Sequence, residues 1–118
     1  MPRISVLIST FRPGGVDISL AGMRDQTFRD MEVILVDRRY ELRHDRVMAL
    51  AREYEVNLIH VPEHRRNGKW AIIGSAWNTA MAVARGEIII FLMDWTYTPP
   101  GWIEAHLRRQ NGSTYVVC

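Results

Sequence analysis

The stretch Glu87-Ile88-Ile89-Ile90-Phe91-Leu92 decides the fold class. It is apolar at nearly every residue, which is typical of a strand that is covered on both faces of a sheet. The preceding residues 73–84 place apolar side chains three and four positions apart, as an amphipathic helix does. Gly86 follows this pattern at the position where a left-handed helix cap would fall. We therefore predict a helix that leads directly into a buried strand.

The rest of the chain alternates in the same way between strand-like and helix-like segments. The β-rich runs are residues 4–8, 32–36 and 56–61, and the helical patterns between them are residues 16–26 and 47–54. A basic loop is expected over residues 63–69, and a last strand over residues 114–118. The order β-α-β-α-β-loop-α-β predicts an α/β fold with a mostly parallel sheet flanked by helices.

Length and composition restrict the class of protein further. The 118 residues are enough for one domain, and 47% hydrophobic and 24% charged residues are globular values. A net charge of +2 is too small to indicate a nucleic-acid partner. No apolar run approaches the roughly 20 residues of a membrane span, so none is expected. The single cysteine, Cys118, predicts a reducing, cytoplasmic location, and an exposed last strand would favour a homo-oligomer.

The residues that follow the predicted strands are the candidates for ligand contact, because ligands bind at the carboxyl ends of parallel strands. Hydroxyl, aromatic and acidic groups occur there as Ser9, Phe11, Asp37 and Asp94. Cations occur there as well, and they are Arg38, Arg39, Arg65, Arg66 and Lys69. Such a set suits a nucleoside diphosphate with a divalent metal ion, since the ring can stack on a base and the arginines can bind phosphate.

A structural interpretation stands beside each of these assignments. Asp37 and Asp94 could form turns, Phe11 could be a core ring, and the arginines could be a solvated surface. The chain has no Gly-x-Gly-x-x-Gly after its first strand and no complete phosphate-binding loop around Asn67-Gly68-Lys69. Its four histidines share no ligand spacing, so no zinc site is expected.

Five stretches, in order and with ordinary spacing, resemble known family motifs. They are residues 2–11, 26–37, 74–80, 84–92 and 99–103, which read PRISVLISTF, QTFRDMEVILVD, GSAWNTA, ARGEIIIFL and PPGWI. The chain is similar to the N-terminal, nucleotide-binding half of family 2 glycosyltransferases. The resemblance implies a partial, Rossmann-like GT-A nucleotide-diphospho-sugar transferase fold. Residues 1–98 would form the nucleotide-sugar-binding part, and residues 99–118 would begin the acceptor-side part.

The resemblance also implies roles for particular residues. Ser9, Phe11 and Asp37 would contact the nucleoside, and Asp94 would hold Mg²⁺ or Mn²⁺. Arg66, Lys69 and Asn78 are further candidates for the nucleotide-sugar site. Three departures stand out: Phe11 replaces a tyrosine, Arg38 replaces a second aspartate, and Met93-Asp94-Trp95 keeps one aspartate of a cluster.

These observations leave three functions open. The first is transfer of a sugar from a nucleotide-diphosphate sugar to an unidentified acceptor hydroxyl, with no obvious catalytic base; Glu104 and His106 are the late candidates. The second is a truncated or degenerate, non-catalytic nucleotide-binding or interaction module of the same fold. The third and weakest is another nucleotide-binding α/β protein, such as a nucleotidyltransferase.

Overall fold

The computed structural model of the protein describes residues 2–66, 69–70 and 73–109, and of residues 65–66, 69–70 and 73–74 it describes the backbone alone. The strands are β1 (Ile4–Thr10), β2 (Met31–Asp37), β3 (Leu58–Pro62), β4 (Arg65–Arg66), β5 (Lys69–Trp70) and β6 (Ile88–Met93). The helices are α1 (Val16–Arg24), α2 (Tyr40–Glu53), α3 (Ile73–Val83) and α4 (Trp102–Arg109). The strand expected over residues 114–118, with Cys118, lies outside the described residues.

Four strands form one parallel sheet in the order β3-β2-β1-β6. The register aligns Thr10 with Asp37 and Ser9 with Met93, so β1, β2 and β6 end at nearly the same level. The predicted α/β class with a parallel sheet flanked by helices is confirmed. The basic loop also contains a feature that the sequence did not indicate, a two-residue antiparallel ladder between β4 and β5.

The alternation of side chains along β1 divides the core between the two faces of the sheet. Ile4, Val6 and Ile8 belong to the larger cluster, which includes residues of α1, α2 and α4. Leu7 points to the other face and joins a smaller cluster with Ala76 and other residues of β2 and α3. Because fully burying one such side chain contributes about 1.5–3 kcal/mol, this central strand anchors both layers.

Strand β6 differs from the expectation that both of its faces are covered. Ile90 and Leu92 are buried, but Phe91 and Met93 are each more than half exposed on the opposite face. The reason is that α3 packs over β1 and β2, so that β6, at the edge of the described sheet, receives only partial cover, including an edge contact from Trp77 to Phe91. The prediction was wrong for this face, because an apolar run cannot distinguish a central strand from an edge strand.

The prediction of a left-handed cap at Gly86 was also wrong, since its φ angle is not in the left-handed region. Glycine is required there by a close approach of two backbone segments. A Cβ atom on Gly86 would lie 2.6 Å from the backbone nitrogen of Ser5, and the Gly86 N–H donates to Ser5 Oγ at 2.8 Å. Ser5 in turn donates to the fully buried carboxylate of Glu32 at 2.6 Å. This contact holds β6 against β1 at the amino end of the sheet.

Within the described ranges, no helix has both the length and the apolar character that crossing a membrane requires.

Candidate functional site

The carboxyl ends of β1, β2 and β6, together with the turns that follow them, form one edge of the sheet, which we call the strand-end rim (residues 9–12, 37–39 and 93–95). Two of its side chains meet across the sheet, because Thr10 Oγ1 donates to Asp94 Oδ2 at 3.0 Å. The two residues lie 84 positions apart in the chain. The parallel register of β1 and β6 brings them together.

Asp94 forms a two-pronged ion pair with Arg12. Arg12 Nη2 donates to Asp94 Oδ1 at 2.6 Å, and Arg12 Nε donates to Oδ2 at 3.2 Å. The Asp94 side chain is only 8% exposed, whereas the Arg12 side chain is 40% exposed and faces solvent beside it. The hydrogen bond to Asp94 raises the pKa of Arg12, so the guanidinium stays charged at any ordinary pH.

Trp95 fixes the other side of this arginine. The Arg12 guanidinium lies 4.3 Å from the centre of the Trp95 ring, and the indole N–H donates to the carbonyl of Gly14 at 2.9 Å. Gly15 makes room for the ring: a Cβ atom there would lie 1.9 Å from Trp95 Cδ1, and its φ of +83° favours glycine as well. Trp95 itself has a φ of 61°, a left-handed conformation that costs about 1–2 kcal/mol for such a residue. The surrounding contacts therefore hold Trp95 against Arg12 despite backbone strain.

The described residues do not fit a divalent metal ion in this arrangement. Both oxygens of Asp94 already accept hydrogen bonds from the cationic group of Arg12, and Oδ2 accepts a second one from Thr10 Oγ1. No group of three or more His, Cys, Asp or Glu side chains that could hold a metal occurs in the described part of the chain. The assignment of Mg²⁺ or Mn²⁺ to Asp94 therefore stays a prediction from the family resemblance.

Asp37 ends β2 and has no exposed surface. Its carboxylate accepts four hydrogen bonds, from Arg43 Nε at 2.7 Å, Arg43 Nη2 at 2.8 Å, His60 Nε2 at 2.9 Å and the Arg39 backbone N–H at 2.8 Å. Burial alone would raise its pKa, but these four bonds outweigh burial and lower the pKa from 3.8 to about 2. Asp37 is thus ionised and enclosed, and it organises the residues around it.

A chain of aromatic side chains continues behind Asp37. His60 Nδ1 lies 2.9 Å from His44 Nδ1, and the Tyr40 ring packs against both imidazoles at 4.4–4.7 Å between ring centres. His44 and His60 thus bond to each other, and His60 bonds to Asp37 as well. Sequence reasoning missed Arg43 and His60 as partners of Asp37, because only the start of α2 and the β2–β3 register bring the three together.

The ring of Phe11 is not part of the core, which was one of the two interpretations that the sequence left open for it. It is 55% exposed, with the Arg38 guanidinium 5.3 Å from the ring centre. Arg39 Nε donates to the Phe11 carbonyl at 3.0 Å, and Arg43 Nη1 donates to the Arg12 carbonyl at 3.2 Å. Two arginines of the β2–α2 segment therefore fix the turn that presents Phe11 and Arg12 to solvent.

The other predicted site residues are less closely assembled. Ser9 is partly buried, and it projects from the face of β1 opposite to Thr10. Asn78 is exposed, about halfway along α3. The backbones of Arg66 and Lys69 pair with each other in the β4–β5 ladder, and their side chains lie outside the described residues.

Glu104 and His106, the late candidates for a catalytic base, lie on α4. Thr27 lies just beyond the end of α1, and its Oγ1 donates a hydrogen bond to Glu104 Oε1 at 2.6 Å. Because α1 starts near the end of β1 and runs back along the sheet, Thr27 is at the amino edge, away from the strand-end rim. Burial, with a smaller effect of Arg109, lowers the pKa of His106. The position of Glu104 does not support a role as base at the rim.

An open, parallel α/β sheet of this kind binds its ligands at the carboxyl ends of its strands, where the strand-end rim lies. The sequence profile described as "Glycosyl transferase family 2" matches residues 5–118. The chain therefore belongs to glycosyl transferase family 2.

Two solved structures with similar folds come from S. aureus TarS. The crystal structure of TarS 1-349 superposes with a TM-score of 0.73 at 19% identity, over 90% of this chain and 31% of that one. A crystal structure of TarS gives a TM-score of 0.67 at 20% identity, over 89% of this chain and 19% of that one. The chain thus spans a third or less of these structures, and at such identity the likeness shows the GT-A fold alone. The search of curated proteins found no match.

Proposed function

We propose that this chain is the donor-binding part of a glycosyltransferase that takes its sugar from a nucleotide-diphosphate sugar. The observation that carries the proposal is the adjacent pair Phe11 and Arg12 at the strand-end rim. An exposed aromatic ring offers a stacking surface for a base, and a guanidinium one residue further offers hydrogen-bond donors to the diphosphate. Membership of the family supports the same reaction class.

The proposed reaction moves a glycosyl group to an acceptor hydroxyl. The bond between the anomeric carbon and the diphosphate oxygen breaks, and the nucleoside diphosphate leaves with the electron pair. The acceptor oxygen forms the new bond to the anomeric carbon, and its proton passes to a general base. None of the described residues is assigned as that base. The acceptor side would lie in the part that begins at residues 99–118, after a donor part in residues 1–98.

Each residue that was predicted to bind the nucleotide sugar has a proposed task. Phe11 stacks on the base, and Asp37 acts through Arg39 and Arg43, which fix the turn beneath the ring. Ser9 lies at the end of the same strand as Phe11 and is proposed to contact the ribose. Further donor contacts are proposed for Arg66, Lys69 and Asn78. The single cysteine supports a reaction in the cytoplasm. We also propose that the chain self-associates into a homo-oligomer.

Calorimetric titration of the full chain with UDP, GDP, CDP and ADP tests the donor site. Each titration is run with Mn²⁺, with Mg²⁺ and with EDTA. We expect one of the four nucleotides to bind, and we expect Phe11→Ala to weaken it about tenfold to a hundredfold, because stacking on an aromatic ring contributes about 1–3 kcal/mol per base. Leu42→Ala removes another exposed apolar side chain, from α2, and should leave binding unchanged. Absence of binding by all four nucleotides would refute the proposal.

A second candidate is a non-catalytic, nucleotide-binding module of the same fold. The enclosed carboxylates favour it, since Asp37 has no exposed surface and Asp94 is paired with Arg12. Hydrolysis of the sugar nucleotide in water distinguishes the two. Release of nucleoside diphosphate above the rate without protein supports the enzyme, and binding without any release supports the module.

A further inference from the structure

Resting on the proposed donor site, we propose that the Arg12 guanidinium grips the donor diphosphate in place of a divalent metal ion, with Asp94 as the positioning residue that holds Arg12. Nucleotide binding at the strand-end rim then needs no metal. The family pattern assigns a metal to Asp94, whereas in this structure the Arg12 guanidinium occupies that position.

The hydrogen-bonding capacity of Arg12 is only partly used. A guanidinium has five N–H groups, and two of them point at Asp94. No acceptor within the described residues takes the other three, and the side chain is 40% exposed. A planar fork of this kind matches two phosphate oxygens, and unlike a metal it is part of the chain and always charged.

The position of Arg12 is fixed from three sides before any ligand arrives. Asp94 holds the guanidinium edge, Trp95 packs on its face at 4.3 Å, and Arg43 bonds the Arg12 carbonyl at 3.2 Å. Because the group is already ordered, binding a diphosphate costs less side-chain entropy than it would for a free surface arginine. The strained backbone of Trp95 is consistent with a contact that the fold maintains.

The charge balance of the rim also favours an anion without a metal. Cations outnumber carboxylates there: the former are Arg12, Arg38 and Arg39, and the latter are Asp37 and Asp94. A divalent ion at Asp94 would have to displace the guanidinium and then lie close to it. Repulsion between the two cations opposes that arrangement.

Calorimetry of the full chain with UDP, GDP, CDP and ADP, in EDTA and in Mn²⁺, tests the inference. For the nucleotide that binds, we expect the dissociation constants in EDTA and in Mn²⁺ to agree within about twofold. Arg12→Gln should weaken binding about tenfold to a hundredfold in both buffers, as expected for a lost hydrogen bond to a charged group. Arg12→Lys keeps the charge but loses the fork, so it should recover only part of the affinity.

Arg24→Gln is the matched control. Arg24 is also paired through two nitrogens with a neighbouring aspartate, Asp25, lies 4.5 Å from the centre of the Tyr54 ring, and has a 42% exposed side chain. It stands at the end of α1, toward the amino edge of the sheet, so its loss should not change nucleotide binding. Thermal melting of every variant checks that the fold is retained.

Asp94→Asn separates a positioning residue from a metal ligand. If Asp94 acts through Arg12, the single variant weakens binding in EDTA by less than about fivefold. Combined with Arg12→Gln, it adds nothing to the loss that Arg12→Gln causes alone. Binding that needs Mn²⁺ and is abolished by Asp94→Asn would overturn this inference while leaving the donor site intact. Failure of all four nucleotides in both buffers would overturn the proposed function and this inference together.

Discussion

Among substitutions at the strand-end rim that exchange one carboxylate oxygen for an amide nitrogen, Asp37→Asn should destabilise the fold the most. The asparagine keeps the shape of the side chain but brings an amide N–H₂ where Arg43, His60 and the Arg39 backbone all donate. Whichever way the amide turns, its nitrogen faces at least one donor, and the Arg43 side chain, only 6% exposed, loses its counter-charge.

The expected loss in the free energy of unfolding at pH 7 is about 3–5 kcal/mol, the usual cost of removing one partner from a buried ion pair. Urea denaturation followed by circular dichroism measures it. With a denaturant slope of about 2 kcal/mol/M, the midpoint should fall by about 1.5–2.5 M. Asp25→Asn, which breaks the exposed pair with Arg24, should move the midpoint far less.

The pH dependence gives a second, independent signature of the same carboxylate. The pKa of Asp37 is about 2 in the folded chain, against an ordinary value of 3.8 that we take for the unfolded chain. The contribution of the ionised Asp37 to the stability of the fold is therefore complete above pH 3.8 and is lost as the pH falls toward 2. The difference between the two pKa values corresponds to about 2 kcal/mol. The stability gap between wild type and Asp37→Asn should therefore narrow by about that amount across this window. A midpoint change under 0.5 M, or a gap that stays constant down to pH 2.5, would refute the reasoning.

Two further predictions concern the amino end of the sheet. Gly86→Ala should cost about 1–3 kcal/mol in urea denaturation, because its Cβ would lie 2.6 Å from the Ser5 backbone nitrogen, whereas Gly101→Ala, with nothing within 4 Å of the new methyl, should cost about 1 kcal/mol or less. Equal losses would contradict the close approach. Glu32→Gln should cost about 1–3 kcal/mol in the same assay, because its amide nitrogen would replace a buried oxygen that lies 3.6 Å from Arg85 Nε and accepts no hydrogen bond within the described residues. An unchanged midpoint would show that this carboxylate is not needed in its charged form.

The sequence was sufficient for the fold class because the four main strands and the helices between them follow clear periodic patterns. β-rich runs and amphipathic helices are local signals, and their alternation predicts a parallel sheet. The β4–β5 ladder was missed because two residues per strand leave no pattern to detect. The exposure of Phe91 was missed because the strand order of a sheet is not encoded in one apolar run.

The candidate site was predictable in its location and less so in its contacts. The residues that follow strands can be identified in the sequence, and Phe11, Asp37 and Asp94 were predicted as site residues in this way. The partner of Asp94 could not be read in this way, because Arg12 lies 82 positions away and meets it only through the β1–β6 register. The four donors around Asp37 depend in the same way on packing between elements.

The most direct test of the donor site is an amide chemical-shift titration of the ¹⁵N-labelled chain with the nucleoside diphosphate that binds best among UDP, GDP, CDP and ADP. We expect the shift changes to concentrate at residues 9–12, 37–39 and 93–95, and to occur in EDTA. Changes centred instead on the amino edge of the sheet, at residues 26–31 and 85–88, would contradict a donor site at the strand ends.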